Sequence, residues 1–142
     1  MTVRILALPA LLMALAGAPA PGVAQAPAVT APAPPPPLWG AIAFTADGSY
    51  ATAWKSPSKA EAEADVSKRC ARMGRGACEV VSFPGNLCAA LYNFRVGRYR
   101  AAYTGGGATS PEAQQTARAR CNADRRARNN CQLRTVVCGD GR

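Results

Sequence analysis

Apolar and polar positions follow the same order twice along this chain. In "WGAIAFTADGSYATAW", Trp39 to Trp54, an apolar run meets a polar turn and comes back as an alternating run. "CAALYNFRVGRYRAAY", Cys88 to Tyr103, repeats that layout. Short apolar runs and period-2 alternation between turn residues are strand signals, and "TADGS" carries the Asp-Gly dipeptide of a hairpin. Behind each strand pair the period changes: Ala62, Val66, Cys70 and Met73 recur at helical spacing, as do Ala113, Ala117 and Cys121. A β-like run follows each helix. Each copy therefore reads strand, turn, strand, helix, strand.

Landmarks align the copies. Tyr50, Trp54, Gly48 and Ile42 fall on Tyr99, Tyr103, Gly97 and Leu91 at a shift of 49 residues; Glu61 and Cys70 fall on Glu112 and Cys121 at 51, and Cys78 on Cys131 at 53. The growing shift assigns extra residues of copy two to "TGGG" and "NADRRARNN", where loops are expected. On this alignment Tyr50, Thr52 and Trp54 share a strand face that meets the core, as do Tyr99, Ala101 and Tyr103, with Arg98 and Arg100 on the opposite face. Ser58 and Glu61 have capping-box spacing; in copy two Ser110 is expected to cap, with Pro111 at the first helical position, where its missing donor costs nothing. The architecture predicted is α+β: a disulfide-stapled tandem repeat of two ββαβ-like units, with an antiparallel sheet and two helices packed on one side; the pattern does not decide whether the copies share a continuous sheet or swap strands.

The residues ahead of the repeats carry a different pattern. Arg4, the apolar run from Ile5 to Ala16 and the small residues after it have the layout of a secretory signal peptide, assigned to residues 1–24 with the cut after Ala24. A cut after Ala16 also fits. The apolar run is shorter than the roughly 20 residues that span a bilayer, so no anchor is expected after signal removal. Residues 25–37, an Ala/Pro-rich stretch ending in "APPPP", read as an extended linker. Residues 38–142 then form one globular domain made of repeats 38–85 and 86–138. The expected location is the periplasm or the outside of the cell.

Six Cys in an exported domain of this size read as a disulfide framework. Equivalence of the copies narrows the pairing, because Cys121 and Cys131 should do what Cys70 and Cys78 do. Local bridges Cys70–Cys78 and Cys121–Cys131 satisfy that requirement and leave Cys88 to meet Cys138. A metal or redox site is the rival, but the chain has no His and no Cys-x-x-Cys.

"WGAIAF", "SYATAW", "SKAEAEADVSKRC", "CEVVSF", "NLCAALYN" and the second helix ending at Cys121 resemble, in that order, the exported bacterial proteins grouped as domain of unknown function 4189. The resemblance covers nearly all of residues 38–138. It implies location and fold type, and brings no settled activity. Copy two departs from the family's usual look: Tyr103 stands where Trp is common, and "RVGRYR" is unusually basic.

Composition then limits the chemistry. With no His, and with the Cys assigned to bridges, nucleophilic catalysis lacks its usual partners. The eight acids sit in turns, helix starts, loops and the tail, so no catalytic carboxylate pair stands out and no enzymatic activity is expected. "TGGGATS" lacks the Lys-Ser/Thr ending of a phosphate loop and is read as a flexible connector. No cofactor and no metal are expected.

Charge is the feature that asks for a partner. Residues 39–85 hold six Lys or Arg against five acids, a net of +1, whereas residues 86–142 hold ten Arg against three acids, a net of +7. Such asymmetry attracts polyanions, and the planar guanidinium matches carboxylate and phosphate. Arg95, Arg98, Arg100, Arg125, Arg126 and Arg128 are the candidate binding residues. The bland reading is a solvated basic surface. Two functional readings stand beside it: a module binding an anionic cell-envelope component, or an inhibitor or immunity-type protein that blocks an exported enzyme or toxin. Nucleic acid is not expected as a partner.

Overall fold

The structure, a computed structural model, describes residues 34–127 and 129–142. The signal peptide assigned to residues 1–24, linker residues 25–33 and the candidate Arg128 lie outside the described residues. Elements come in the expected order: β1 (Trp39–Phe44), β2 (Tyr50–Ser56), α1 (Lys59–Met73), β3 (Glu79–Pro84), β4 (Cys88–Val96), β5 (Tyr99–Gly107), α2 (Ser110–Ala123) and β6 (Gln132–Cys138), with a 3-10 turn at Arg125–Ala127 before β6.

Each unit has its own three-stranded antiparallel sheet, ordered β2-β1-β3 in the first and β5-β4-β6 in the second. The α+β duplication stands, and each copy keeps a sheet of its own, with strands neither shared nor swapped between the units. Period-2 alternation explains why. In β1, Ala41 and Ala43 pack under α1 with Ala62, Val66 and Cys70, and the alternate residues Ile42 and Phe44 point the other way. In β4, Cys88, Ala90, Tyr92 and Phe94 pack under α2, and Ala89 and Leu91 point away from it. The two outward sets meet each other, joined by Phe83 and Val137, in a third cluster that contains no helical residue. The layers thus run helix, sheet, sheet, helix, with the helices on opposite outer faces. A sheet apolar on both faces needs a cover on each, and one helix supplies only one.

The second strand of copy two is displaced from its expected register. Ala43 faces Ala51 across β1 and β2, whereas Tyr92, the counterpart of Ala43, faces Tyr103. Tyr103 is therefore the counterpart of Ala51 in the second copy, and the extra residues lie in a longer β4–β5 hairpin. Trp54 accordingly stays 52% exposed instead of entering the core with Tyr103. The same shift moves "TGGG" out of a connector and into β5. A Cβ on Gly105 would lie 2.2 Å from the Ala117 nitrogen, and one on Gly107 would lie 2.6 Å from the Ala113 nitrogen. The glycines are there because the α2 backbone rests directly on the strand.

Caps fix where the helices begin. Ser58 accepts the Glu61 N–H at 3.2 Å, which is one half of a capping box. In α2 both halves form, and the cap is Thr109, not Ser110: Thr109 Oγ1 accepts the Glu112 N–H at 3.4 Å, and the Glu112 carboxylate accepts the Thr109 N–H at 3.3 Å. Ser110 Oγ instead lies 3.3 Å from Cys138 Sγ.

The bridges are Cys70–Cys78, Cys121–Cys131 and Cys88–Cys138. The first two tie each helix end to the chain leading into the next strand. Cys88 and Cys138 are direct cross-strand neighbours on β4 and β6. Their separation of 50 residues gives about 4 kcal/mol on the chain-entropy account, against about 2.5 kcal/mol for a separation of 8. Beside this bridge the units touch through backbone, Lys55 donating to Gly139 O at 2.7 Å, while Gly85 donating to Leu38 O at 2.6 Å and Gly139 donating to Leu87 O at 2.9 Å tie the chain ends to their own units. Helix arginines repeat one contact in both units, Arg69 donating to Thr52 O and Arg120 to Thr104 O.

At the other end the β1–β2 turn docks on the second sheet. Buried Asn93 donates to Asp47 O at 3.1 Å and Arg134 Nε to Gly48 O at 3.2 Å. The turn is held by the Asp47 carboxylate, which accepts from the Thr45 hydroxyl at 2.5 Å and the Ser49 N–H at 3.0 Å. Those bonds, the Thr45 hydroxyl foremost, lower its pKa from 3.8 to about 2.

Two outcomes follow for stability. Gly105→Ala should cost about 1–3 kcal/mol in urea unfolding of the oxidised protein, because strand or helix must move. Gly106→Ala, whose Cβ would meet nothing closer than 3.8 Å, should stay within about 0.5 kcal/mol of the parent. Asp47 stabilises fully above its unfolded pKa and loses that effect as pH falls through its folded value of about 2. Asp47→Asn should therefore unfold more readily than the parent at neutral pH, with the gap closing over that acid window.

Candidate functional site

The β4–β5 hairpin pairs as far as Val96 with Tyr99 and turns on Gly97 and Arg98. Gly97 has φ +58, a conformation that favours a residue without a Cβ. Because Arg98 sits in the turn, strand alternation does not govern it. Its guanidinium carbon lies 5.7 Å from the centroid of the Tyr99 ring, beside the residue it was expected to oppose. Arg126, from the 3-10 turn after α2, reaches the same ring at 5.9 Å. Tyr99 remains 47% exposed between them. Together with Val96 and Gly97 these side chains line a cleft of about 340 Å³.

Arg126 is oriented from behind. The Asp124 carboxylate accepts Arg126 Nε at 2.9 Å and Nη2 at 2.7 Å, the Arg126 backbone N–H at 2.9 Å and the Tyr103 hydroxyl at 2.6 Å. Arg126 first, then Tyr103, hold the Asp124 carboxyl well below the usual carboxylate range, and Asp124 in turn raises the pKa of Arg126. Burial, then the Asp124 carboxylate, pushes the Tyr103 phenol above its ordinary value of 10.0. The Tyr103 ring stacks with buried Phe94, their centroids 6.3 Å apart. A line of contacts thus runs from the α2-side core through Asp124 to the cleft.

The remaining candidates divide. Arg95 and Arg100 are direct cross-strand partners, on the hairpin face opposite Tyr99. Arg125 is exposed beside Arg126. Among the described residues the ion pairs are Lys59–Glu63, Arg69–Asp65, Arg126–Asp124 and Arg142–Asp140, so Arg95, Arg98, Arg100 and Arg125 have no carboxylate in ion-pair reach. A groove of about 550 Å³ on the flank of α2 contains one charged residue, Arg118. No group of three or more His, Cys, Asp or Glu among the described residues could hold a metal ion, and no described helix is long and apolar enough to cross a membrane. Sequence reasoning picked out the arginines and missed Tyr99, Tyr103 and Asp124. The adjacency of Asp124 to Arg125 and Arg126 was the available signal.

Fold and cleft together define a duplicated, disulfide-stapled α+β domain with a basic, aromatic surface site on its second unit. The chain belongs to the family described as domain of unknown function DUF4189, which it matches over residues 39–138. Neither a curated protein nor a solved structure matches the chain.

Removing the Asp124 carboxylate should be visible at its partner. In a titration followed by tyrosinate absorbance, Asp124→Ala should bring the Tyr103 phenol down toward 10.0, because one of the causes of its elevation is gone.

Proposed function

We propose that the protein is an exported bacterial binding module, and not an enzyme, that holds an anionic component of the cell envelope through its second unit. The observation that carries this reading is the pairing of Arg95 with Arg100 directly across β4 and β5, with no acid in ion-pair reach of either. Like charges in register cost stability, and a bound polyanion relieves that cost. Arg98 and Arg125 add exposed, unpaired charge on the same unit. The net of +7 against +1 focuses the potential there. Export is supported by the N-terminal sequence layout and by three disulfides, which persist in oxidising compartments.

The test is binding of the protein to its own envelope fraction and to purified anionic wall polymer across a salt series. Affinity should fall steeply with ionic strength, and the triple variant Arg95→Gln, Arg98→Gln, Arg100→Gln should bind at least ~10-fold more weakly with a shallower salt slope. Retention of one stoichiometric protein at high salt, with no polymer binding, would overturn this reading in favour of an inhibitor-type partner.

A further inference from the structure

We propose that the groove along α2 is a second binding site, for a short peptide segment carrying one carboxylate. It goes beyond the reading above and uses none of its arginines. The observation behind it is Tyr92, which comes from β4 beneath α2. This side chain is only 8% exposed, and its phenol has no hydrogen-bond partner among the described residues. No buried side-chain oxygen of the described residues is left unbonded, so this hydroxyl opens to solvent, and it does so in the groove that Tyr92 lines. Copy one has no such group: the counterpart of Tyr92 is Ala43, fully buried under α1. The repeated fold thus forms without a hydroxyl at this place.

The helix supplies the rest of the site. Gln114, Arg118 and Asn122 recur every fourth residue, on the flank of α2 away from Arg120, which reaches the β5 edge. Gln115 adds a third carboxamide. These amides have no side-chain hydrogen bond among the described residues, and Arg118 has no acid in ion-pair reach. A carboxamide donates and accepts side by side, as a peptide group does. One guanidinium midway along the row asks for one carboxylate. From Gln114 to Asn122 the helix rises about 12 Å, the length of about four extended residues. Other occupants match less of this. A polyanion would find a single cation, an acyl chain would strip water from three amides and a phenol, and a sugar ring would find no open aromatic face, since Tyr92 is buried.

The experiment is a chemical-shift titration of the backbone and carboxamide signals of the 15N-labelled protein at fixed ionic strength. The probes are N-acetylated, C-amidated alanine tetrapeptides with one Glu at each position in turn, the same peptides with Gln in place of Glu, free glutamate and neutral galactotriose. At least one Glu peptide should saturate and move the carboxamide signals of Gln114, Gln115 and Asn122, and its Gln counterpart should bind about tenfold more weakly. Arg118→Gln should bring the Glu peptide down to the level of that counterpart. Tyr92→Phe keeps the ring, so it should unfold at the parent's urea midpoint while binding the peptide about fivefold more weakly, because the hydroxyl is unbonded until the ligand arrives. The double variant Arg95→Gln, Arg100→Gln should leave peptide affinity unchanged. Binding of free glutamate or galactotriose as tight as that of the peptide, or loss of peptide binding in that double variant, would overturn the assignment. So would parent affinity in Tyr92→Phe, or no saturable shift with any peptide, and salt-dependent polymer binding through Arg95 and Arg100 would then stand by itself.

Discussion

The structure depends on a cover problem. A three-stranded sheet with small residues on one face and Ile42, Phe44 and Phe83 on the other can hide only the first under its own helix. The second face needs another sheet of the same kind, and the duplication provides one. The first unit's own helix leaves Ile42, Phe44 and Phe83 to be covered by the second unit, so the inter-sheet layer is what makes two short motifs into one domain. Alanine and glycine dominate the helix-facing layers, and their small volume lets each helix lie close to its strands.

Much of this was legible in the sequence for a physical reason. Equivalence of copies is a strong constraint on covalent pairing, since two cysteines at matching places must meet matching partners. Cys70 with Cys78 and Cys121 with Cys131 could be read off, and Cys88 with Cys138 followed by exclusion. Register was not legible. Alternation has the same period whichever residue starts it, so sliding β5 against β2 kept an aromatic pattern that looked correct while moving Tyr103 from the place of Ala51 to that of Trp54. "TGGG" misled because glycine usually punctuates. Here Gly105 and Gly107 are strand residues beneath a close helix, and that closeness is a tertiary fact.

The site shows the same division between composition and geometry. The excess of arginine in the second unit could be counted. Which arginines act together could not, because Arg98 leaves the strand rule at a two-residue turn and Arg126 arrives from beyond α2. Asp124 looked like a loop acid and is the group that orients a guanidinium. Its four donors come from Tyr103 and from three nitrogens of Arg126, so the orientation is built from inside the fold outward.

The contact that recurs in both units, a helix arginine reaching a threonine carbonyl of the outermost strand, has a consequence for how copies of the chain meet. β2 and β5 each end a sheet, and such a border can recruit a foreign strand. Arg69 and Arg120 lay a guanidinium against an acceptor on that border, so a strand arriving there must displace a bound charged donor before it can pair. The duplication thus copied a barrier to open-ended polymerisation along with the fold.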